Sequence, residues 1–364
     1  MHKGVVIVTG SAGRIGTSLI AKLGNEYRIV GFELMKAIYA SQNEELIPVD
    51  ISSDESVIQA FRHIKAFYGT HIVSVVHLAA YYSFEDQDYD NYHKITVEGT
   101  RRLLEALQEF QVEQFIFSST MLVHKPSKKR INEYSPKKAS WAYPRSKIET
   151  EEIIHKHRGK IPAVILRIAG VYDDECHSIP ISNQIQRIYE KEFVSHFFPG
   201  NLQRGAAFLH MDDLVYAILL TIQKRRELPK ETVLLLGEGE TLSTDRLQRK
   251  ISRYLFGKEM RTIRIPKFLA WIGAFLQTHM PFMKKPFIRP WMIRYADDNY
   301  LLDIARAKKF LGWEPEHHLE EEIEPMLDRM LEDPAHWYKI NGLRPSKHFL
   351  QLWQKKKKKQ KRAA

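Results

Sequence analysis

The apolar run Val5–Val8 leads straight into Thr9-Gly10-Ser11-Ala12-Gly13-Arg14-Ile15-Gly16, and an amphipathic stretch near Arg14–Leu23 follows. A buried strand that turns on glycines into a helix admits few folds. Gly10 permits the tight turn, Gly13 lets backbone come close to a bound group, and Gly16 lets helix and strand pack together. Free amides and the positive dipole end at the helix start favour phosphates. Gly10, Gly13, Arg14, Ile15 and Gly16 are therefore candidate contacts for the pyrophosphate of a dinucleotide.

The rest of the first half repeats the strand–helix rhythm. Strands are expected at Tyr27–Phe32, Leu46–Val49, Ile72–His77, Gln114–Phe117 and Ala163–Arg167, and helices near Asp54–Phe67, Asn91–Phe110 and Tyr143–His157. Strands rich in Val and Ile on both faces, separated by helices, indicate a parallel sheet covered on both sides. The expected fold class is α/β, a doubly wound parallel sheet of the Rossmann type, with its ligand crevice at the carboxyl ends of the strands. After about residue 170 the rhythm changes, with helices expected at Ile181–Lys191, Asp212–Arg225, Thr244–Phe256 and Leu319–Leu331 and short strands near Ala206–His210 and Val233–Leu236. We read residues 1–175 as the dinucleotide-binding domain and 176–345 as mostly a smaller, mainly helical substrate lobe with segments returning to the first domain. Residues 346–364 read as a disordered basic tail.

Glu33 closes the second apolar run, where a carboxylate can accept hydrogen bonds from ribose hydroxyls and would repel a 2′-phosphate. That favours NAD over NADP, whereas Arg14 stands where it would reach a phosphate. Tyr143 and Lys147 are four apart on an expected helix and so share a face. A tyrosine with its ordinary pKa near ~10 is a poor base at neutral pH. A neighbouring ammonium favours the phenolate, which can then take the proton of an alcohol while two electrons leave the same carbon. Thr120, beyond the strand Gln114–Phe117, can hydrogen-bond the reacting oxygen. Thr120, Tyr143 and Lys147 are the candidate catalytic set.

Composition limits the alternatives. The chain has 364 residues, 44% hydrophobic and 27% charged, as ordinary globular proteins do. Its one cysteine, Cys176, excludes an internal disulfide framework and reads as a bystander; the sixteen histidines show no ligand spacing, so no metal is expected. The strand pattern begins almost at once, so no signal peptide is expected, and no run reaches the length of a membrane span. Of the formal net charge of +11, seven basic residues lie in the last ten positions, Lys355–Lys359 with Lys361 and Arg362.

Taken together, these motifs resemble the extended short-chain dehydrogenase/reductases, the NAD-dependent epimerase/dehydratase family. The likeness runs from residue 5 to about 220 through Thr9–Gly16, Asp50-Ile51, His77–Ala80, Val97–Thr100, Ser118–Thr120, Tyr143–Lys147, Leu166-Arg167 with Val171-Tyr172, and Phe208–His210 before Asp213-Leu214. The resemblance implies that Asp50 and Ile51 contact adenine and that Leu78, Ala79 and Ala80 line the cofactor, NAD. It implies that Thr120, Tyr143 and Lys147 are catalytic and, by analogy, that the chain forms a homodimer through two helices. Sugar-nucleotide dehydratases of the family carry an Asp-Glu pair after the threonine, where this chain has Met121 and Leu122, so dehydration is not expected. Epimerases usually have asparagine where Gly170 stands. Thr96 and Ile168 replace a common asparagine and proline. Tyr143-Pro144 and the run Arg167–Tyr172 look closer to the 3β-hydroxysteroid dehydrogenase-like branch.

The stretch Ile265–Tyr295 is rich in large apolar residues, Phe268, Trp271, Phe275 and Trp291 among them, and carries Lys284, Lys285, Arg289 and Arg294. It reads as a substrate lid, as a segment lying on a membrane surface, or as a helix pair on the lobe's own core. Lys125, Lys128, Lys129, Arg130, Lys137 and Lys138 crowd the loop before Tyr143, where they would attract an anionic substrate or simply be solvated. The lysine tail suits anionic lipid, nonspecific nucleic acid, or solubilisation alone; nothing else resembles a nucleic-acid module. The reading is an NAD-dependent oxidoreductase acting on a secondary alcohol or ketone of a hydrophobic, sterol- or lipid-like small molecule. It would be cytoplasmic, with peripheral contact to anionic membrane. The alternatives are a nucleotide-sugar epimerase working by transient oxidation and an NAD-binding sensor without turnover.

Overall fold

A computed structural model describes residues 3–24, 26–34, 44–83, 88–279, 288–346, 349–351 and 353. The chain divides into two compact units. The first comprises residues 1–169, 211–237 and 302–316, and the second 170–210, 238–301 and 317–364. The boundary expected near 175 thus falls at Gly170. The reason is pairing: Gly170–Tyr172 leaves the main sheet to run parallel with Phe208–His210.

The first unit is built on seven parallel strands: β1 (Val5–Thr9), β2 (Arg28–Glu33), β3 (Glu44–Pro48), β4 (Ser74–His77), β5 (Phe115–Thr120), β6 (Ala163–Ile168) and β7 (Glu231–Leu236). Their spatial order is β7-β6-β5-β4-β1-β2-β3. Chain order reverses between β1 and β4, which makes that gap the topological switch point of a doubly wound sheet. Four helices matter for the site: α1 (Arg14–Leu23), α2 (Asp54–Tyr68), α3 (Glu98–Leu107) and α4 (Ala142–His157). Every residue of β1 is buried, as are Leu103, Leu104 and Leu107 of α3, which pack with Val57, Ala60 and Phe61 of α2 in one apolar cluster. Burial on both strand faces explains why these strands read as continuous apolar runs.

Two expected elements differ in detail. The strand expected at Ile72–His77 is split, with His71–Ile72 pairing separately with Gln111–Val112. The helix expected over Asn91–Phe110 opens as a π-helical turn, Tyr92–Val97, before α3; an i→i+5 turn leaves no trace in a 3.6-residue pattern.

The second unit has its own core, in which Tyr172, Cys176, Ile185, Ile251, Ile323, Trp337 and Tyr338 are buried. His317 is half-buried and stacks on His210 with ring centroids 4.2 Å apart. Within the tail expected from residue 346, two aromatic residues are packed. Phe349 packs on Tyr189, and Trp353 meets Tyr338 edge-to-face, each with centroids 5.0 Å apart. The lysine run lies outside the described residues, as do Lys284 and Lys285. Among the described residues no helix is long and apolar enough to cross a membrane.

Glycines at contrasting places test this packing. A Cβ on Gly16 would stand 2.5 Å from the Gly10 carbonyl oxygen and 2.6 Å from that of Ser11. Gly16→Ala is expected to cost about 1–3 kcal/mol through forced backbone movement. Gly273, in an exposed helix with nothing within 4 Å of an added Cβ, is expected to gain up to about 1 kcal/mol as alanine. Urea unfolding midpoints that move in opposite directions check both.

Candidate active site

The glycine turn sits at the carboxyl end of β1. Gly10 adopts φ +69°, and a Cβ there would meet the Ala79 nitrogen at 2.9 Å, so glycine satisfies both the conformation and the space. Helix α1 starts at Gly13 with no side-chain cap and no acidic residue in its first turn. The positive dipole end there favours an anion. Glu33, at the end of β2, accepts the Ala12 amide at 3.1 Å and the Leu34 amide at 2.9 Å, which fixes its carboxylate against the turn. Arg14 is exposed, Ile15 is half-buried, and Asp50 beyond β3 accepts the Ser52 amide at 2.8 Å. Ile51 is buried under α3, its side chain 3.0 Å from where a Cβ on Gly99 would lie. Leu78, Ala79 and Ala80 follow β4, all half-buried. The cofactor candidates thus gather at the carboxyl ends of β1 to β4.

The switch point is held by a polar chain. Thr100 donates to the Thr96 carbonyl at 2.6 Å, so its oxygen accepts from His77 Nε2 at 2.9 Å. His77 Nδ1 then accepts from the Thr9 hydroxyl at 2.7 Å, whose oxygen takes the Ala79 amide at 3.1 Å. Each member is satisfied with the imidazole neutral. Burial, with the Lys147 charge adding to it, pushes His77 down to about 3.

Thr120 ends β5, and Tyr143 and Lys147 lie on one face of α4, so the three expected residues come together. The Thr120 hydroxyl hydrogen-bonds Tyr143. Desolvation pushes the phenol up to about 12, with the Thr120 hydrogen bond pulling the other way. Lys147 is 3% exposed; its Nζ donates to the Ser118 carbonyl at 2.6 Å and lies 5.8 Å from the Tyr143 ring centroid. Burial lowers it to about 7, opposed by the charge of Glu151. Met121 and Leu122 form a short 3₁₀ turn beyond Thr120, and neither side chain can carry a proton.

Two features escape the sequence. The first is an aromatic wall. Tyr82 meets Tyr143 edge-to-face at 4.8 Å, and Trp141 lies 5.5 Å from it. The π turn holds this wall in place: Thr96 accepts the Tyr81 amide at 3.0 Å, while Tyr92 donates to the Ser83 carbonyl at 2.8 Å. Only the aromatic repetition Tyr81-Tyr82 after Ala80 hinted at it. The second is a buried ionic cluster one helical turn past Lys147. Arg167 forks onto Glu151 at 3.0 and 2.7 Å, and Ser119 donates to the same carboxylate at 2.7 Å. Burial alone would raise Glu151, but the Arg167 hydrogen bonds and charge outweigh it and hold the group below the ordinary carboxylate range. Lys137, read in the sequence with the attracting or solvated loop, reaches Glu151 at 3.4 Å. His124 donates from Nδ1 to the Ser135 carbonyl at 3.0 Å and faces the Arg167 guanidinium at 3.1 Å through Nε2. Burial and the Arg167 charge bring His124 down to about 4.

With this geometry in view, residues 6–237 match the model of the NAD-dependent epimerase/dehydratase family. The chain belongs to that family. It is an enzyme of NAD-dependent chemistry. It is similar to 3 beta-hydroxysteroid dehydrogenase type 7 of Mus musculus, 23% identical over 344 residues that cover 85% of this chain and 91% of the relative. It is also similar to UDP-glucose 4-epimerase of Streptomyces lividans, 26% identical over 276 residues, covering 69% and 80%. Among solved structures, UDP-glucuronic acid 4-epimerase from Bacillus cereus in complex with UDP-glucuronic acid and NAD superposes with a TM-score of 0.68. That match, at 19% identity over 90% of this chain and 99% of the other, shows the shared fold. The residues present fit NAD: a close-packed glycine turn that a Cβ at Gly10 or Gly16 would disrupt, a helix start with no acidic residue in its first turn, and a carboxylate at the end of β2.

Two measurements test these electrostatics. His77 and His124 have folded-state pKa values below the ordinary 6.5, so the unfolded chain binds more protons as pH falls. Stability is fully present above about 6.5 and falls towards pH 4, by up to about 1.4 kcal/mol per pH unit for each histidine. Urea midpoints between pH 7 and 4 should show it, with a shallower slope in His77→Gln. Arg167→Met should cost about 3–5 kcal/mol, because it leaves Glu151 buried without its partner.

Proposed function

We propose that the chain is an oxidoreductase for a secondary hydroxyl or ketone on an apolar, ring-bearing molecule, with Tyr143 as the proton-transfer group. The observation that carries this reading is the wall of Tyr82 and Trp141 against Tyr143. Aromatic faces and edges favour a flat apolar partner over a hydrated sugar. Absence of any proton-carrying side chain at Met121 and Leu122 supports it, since elimination of water needs such a group. Gly170 also supports it: a Cβ there would press within 3.0 Å of two Phe208 ring carbons, so the asparagine usual in epimerases would displace that ring.

In this reading the carbonyl or hydroxyl oxygen of the substrate lies between Thr120 and Tyr143. The Thr120 hydroxyl donates a hydrogen bond that fixes the oxygen and stabilises the charge growing on it. Tyr143 takes the hydroxyl proton during oxidation and returns it during reduction. Lys147, held by the Ser118 carbonyl, places its ammonium where it favours the phenolate. NAD, when bound, supplies the two-electron exchange at the carbon bearing that oxygen. Gly10, Gly13, Arg14, Ile15, Gly16, Glu33, Asp50, Ile51 and Leu78–Ala80 are the residues we assign to holding it.

A second reading, a nucleotide-sugar epimerase, draws on the exposed Lys125, Lys128 and Lys129 in the loop beyond Thr120, which suit an anionic substrate, and on the similarity to epimerases. Nicotinamide absorbance separates the two. A dehydrogenase accumulates NADH during turnover of a sterol-like alcohol, whereas an epimerase regenerates NAD and leaves no net change. Tyr143→Phe is expected to lower turnover by about 10²–10⁴ with NAD affinity kept; a variant retaining full turnover would overturn the assignment of Tyr143.

A further inference from the structure

The helix Lys267–His279 in the second unit exposes what other helices bury. Phe268, Leu269, Trp271, Ile272, Phe275 and Leu276 are each between 40 and 64% exposed, while Ala274 faces inward at 9%. Their spacing makes one broad apolar stripe along the helix. The stripe is anchored rather than frayed: the Lys267 ammonium binds the Arg294 carbonyl at 2.8 Å and the Asp297 carboxylate, and Trp271 stacks on Phe275 at 5.1 Å.

Its neighbours in sequence are mostly basic, and Asp297 is paired with Lys267. From Met260 to Tyr295 the sequence holds no Asp or Glu and seven Lys or Arg. Of these, Arg261, Arg264 and Arg294 are exposed. At 13 residues the helix is about 20 Å long, too short to span a bilayer. An apolar stripe with aromatic rings, flanked mainly by cations, is the chemistry of a helix that lies in the plane of a lipid surface.

We propose that this helix seats the protein on an anionic lipid surface, with Phe268, Ile272 and Leu276 entering the acyl boundary and Arg261, Arg264 and Arg294 meeting the headgroups. A second copy of the chain fits less well, because a symmetric contact would set this basic surround against itself. The proposal is independent of the substrate.

Flotation of the full-length chain with vesicles tests it, using phosphatidylcholine alone and phosphatidylcholine mixed with phosphatidylglycerol. The expected result is binding to the anionic vesicles at low salt, little binding to neutral vesicles, and a loss of more than about tenfold in Phe268→Glu/Leu276→Glu. Circular dichroism and melting temperature report whether that variant is folded; if it is not, Arg264→Glu gives the same readout from the exposed rim. Unchanged binding in the folded variants overturns the proposal and assigns attachment to another segment, the lysine tail included. Absence of wild-type binding overturns it too, as does a self-association that the double variant abolishes.

Discussion

The neutral imidazole of His77 is the interaction on which the cofactor crevice depends. β1 and β4 pair in parallel up to Thr9 and His77, at the point where the chain order of the sheet reverses. Thr9, His77, Thr100 and Thr96 add side-chain hydrogen bonds to that ladder, tying the end of β1, the end of β4 and the start of α3 into one chain. The chain has a direction, because Thr100 is committed as donor to a helix carbonyl, and that fixes every proton up to Thr9. A protonated His77 would set two N–H groups against Thr9 and Thr100, and the Thr9 hydroxyl would have to turn away. The crevice is thus built on a group that must stay uncharged, next to a lysine whose charge helps keep it so.

The catalytic end rests on the opposite device, a buried charge. Glu151 stands one helical turn beyond Lys147 and is gripped by Arg167 from β6 and Ser119 from β5. This sets the rotation of α4 relative to the two strands, and with it the approach of Tyr143 to Thr120. Such a cluster adds little net stability, since both ions lose their water. Its worth lies in register: a slip of α4 by one residue would leave both charges unpaired. The Glu151 charge also opposes the desolvation of Lys147, so one carboxylate orients the helix and sustains the neighbouring ammonium.

Much of this was legible in the residues. Strand and helix periods located β1 to β7, and the glycine turn, Glu33 and the spacing of Tyr143 and Lys147 lie where a doubly wound sheet brings them together. What escaped shares one property: it depends on pairs far apart in sequence. Tyr82 gains meaning only against Tyr143, Glu151 only against Arg167, and the π turn at Tyr92–Val97 only through the loop it holds. The domain boundary was missed for a similar reason. Gly170–Tyr172 continues a strand-like run, and only its pairing with Phe208–His210 assigns it to the second unit. The aromatic character of Phe349 and Trp353 was a better guide to packing within the expected tail than the lysines that follow them.

The departures from the dehydratase and epimerase patterns at Met121, Leu122 and Gly170 are embedded in their local packing. Restoring an acid pair at Met121 and Leu122 would put a carboxylate where Met121 is 4% exposed, in the 3₁₀ turn that Thr120 caps through the Leu122 amide at 3.3 Å. An uncompensated charge there would raise its own pKa and strain the turn that Thr120 caps. Gly170 is likewise sealed, with Phe208 ring carbons where a side chain would begin. Neither position can be exchanged alone for its counterpart in a dehydratase or epimerase without moving neighbours.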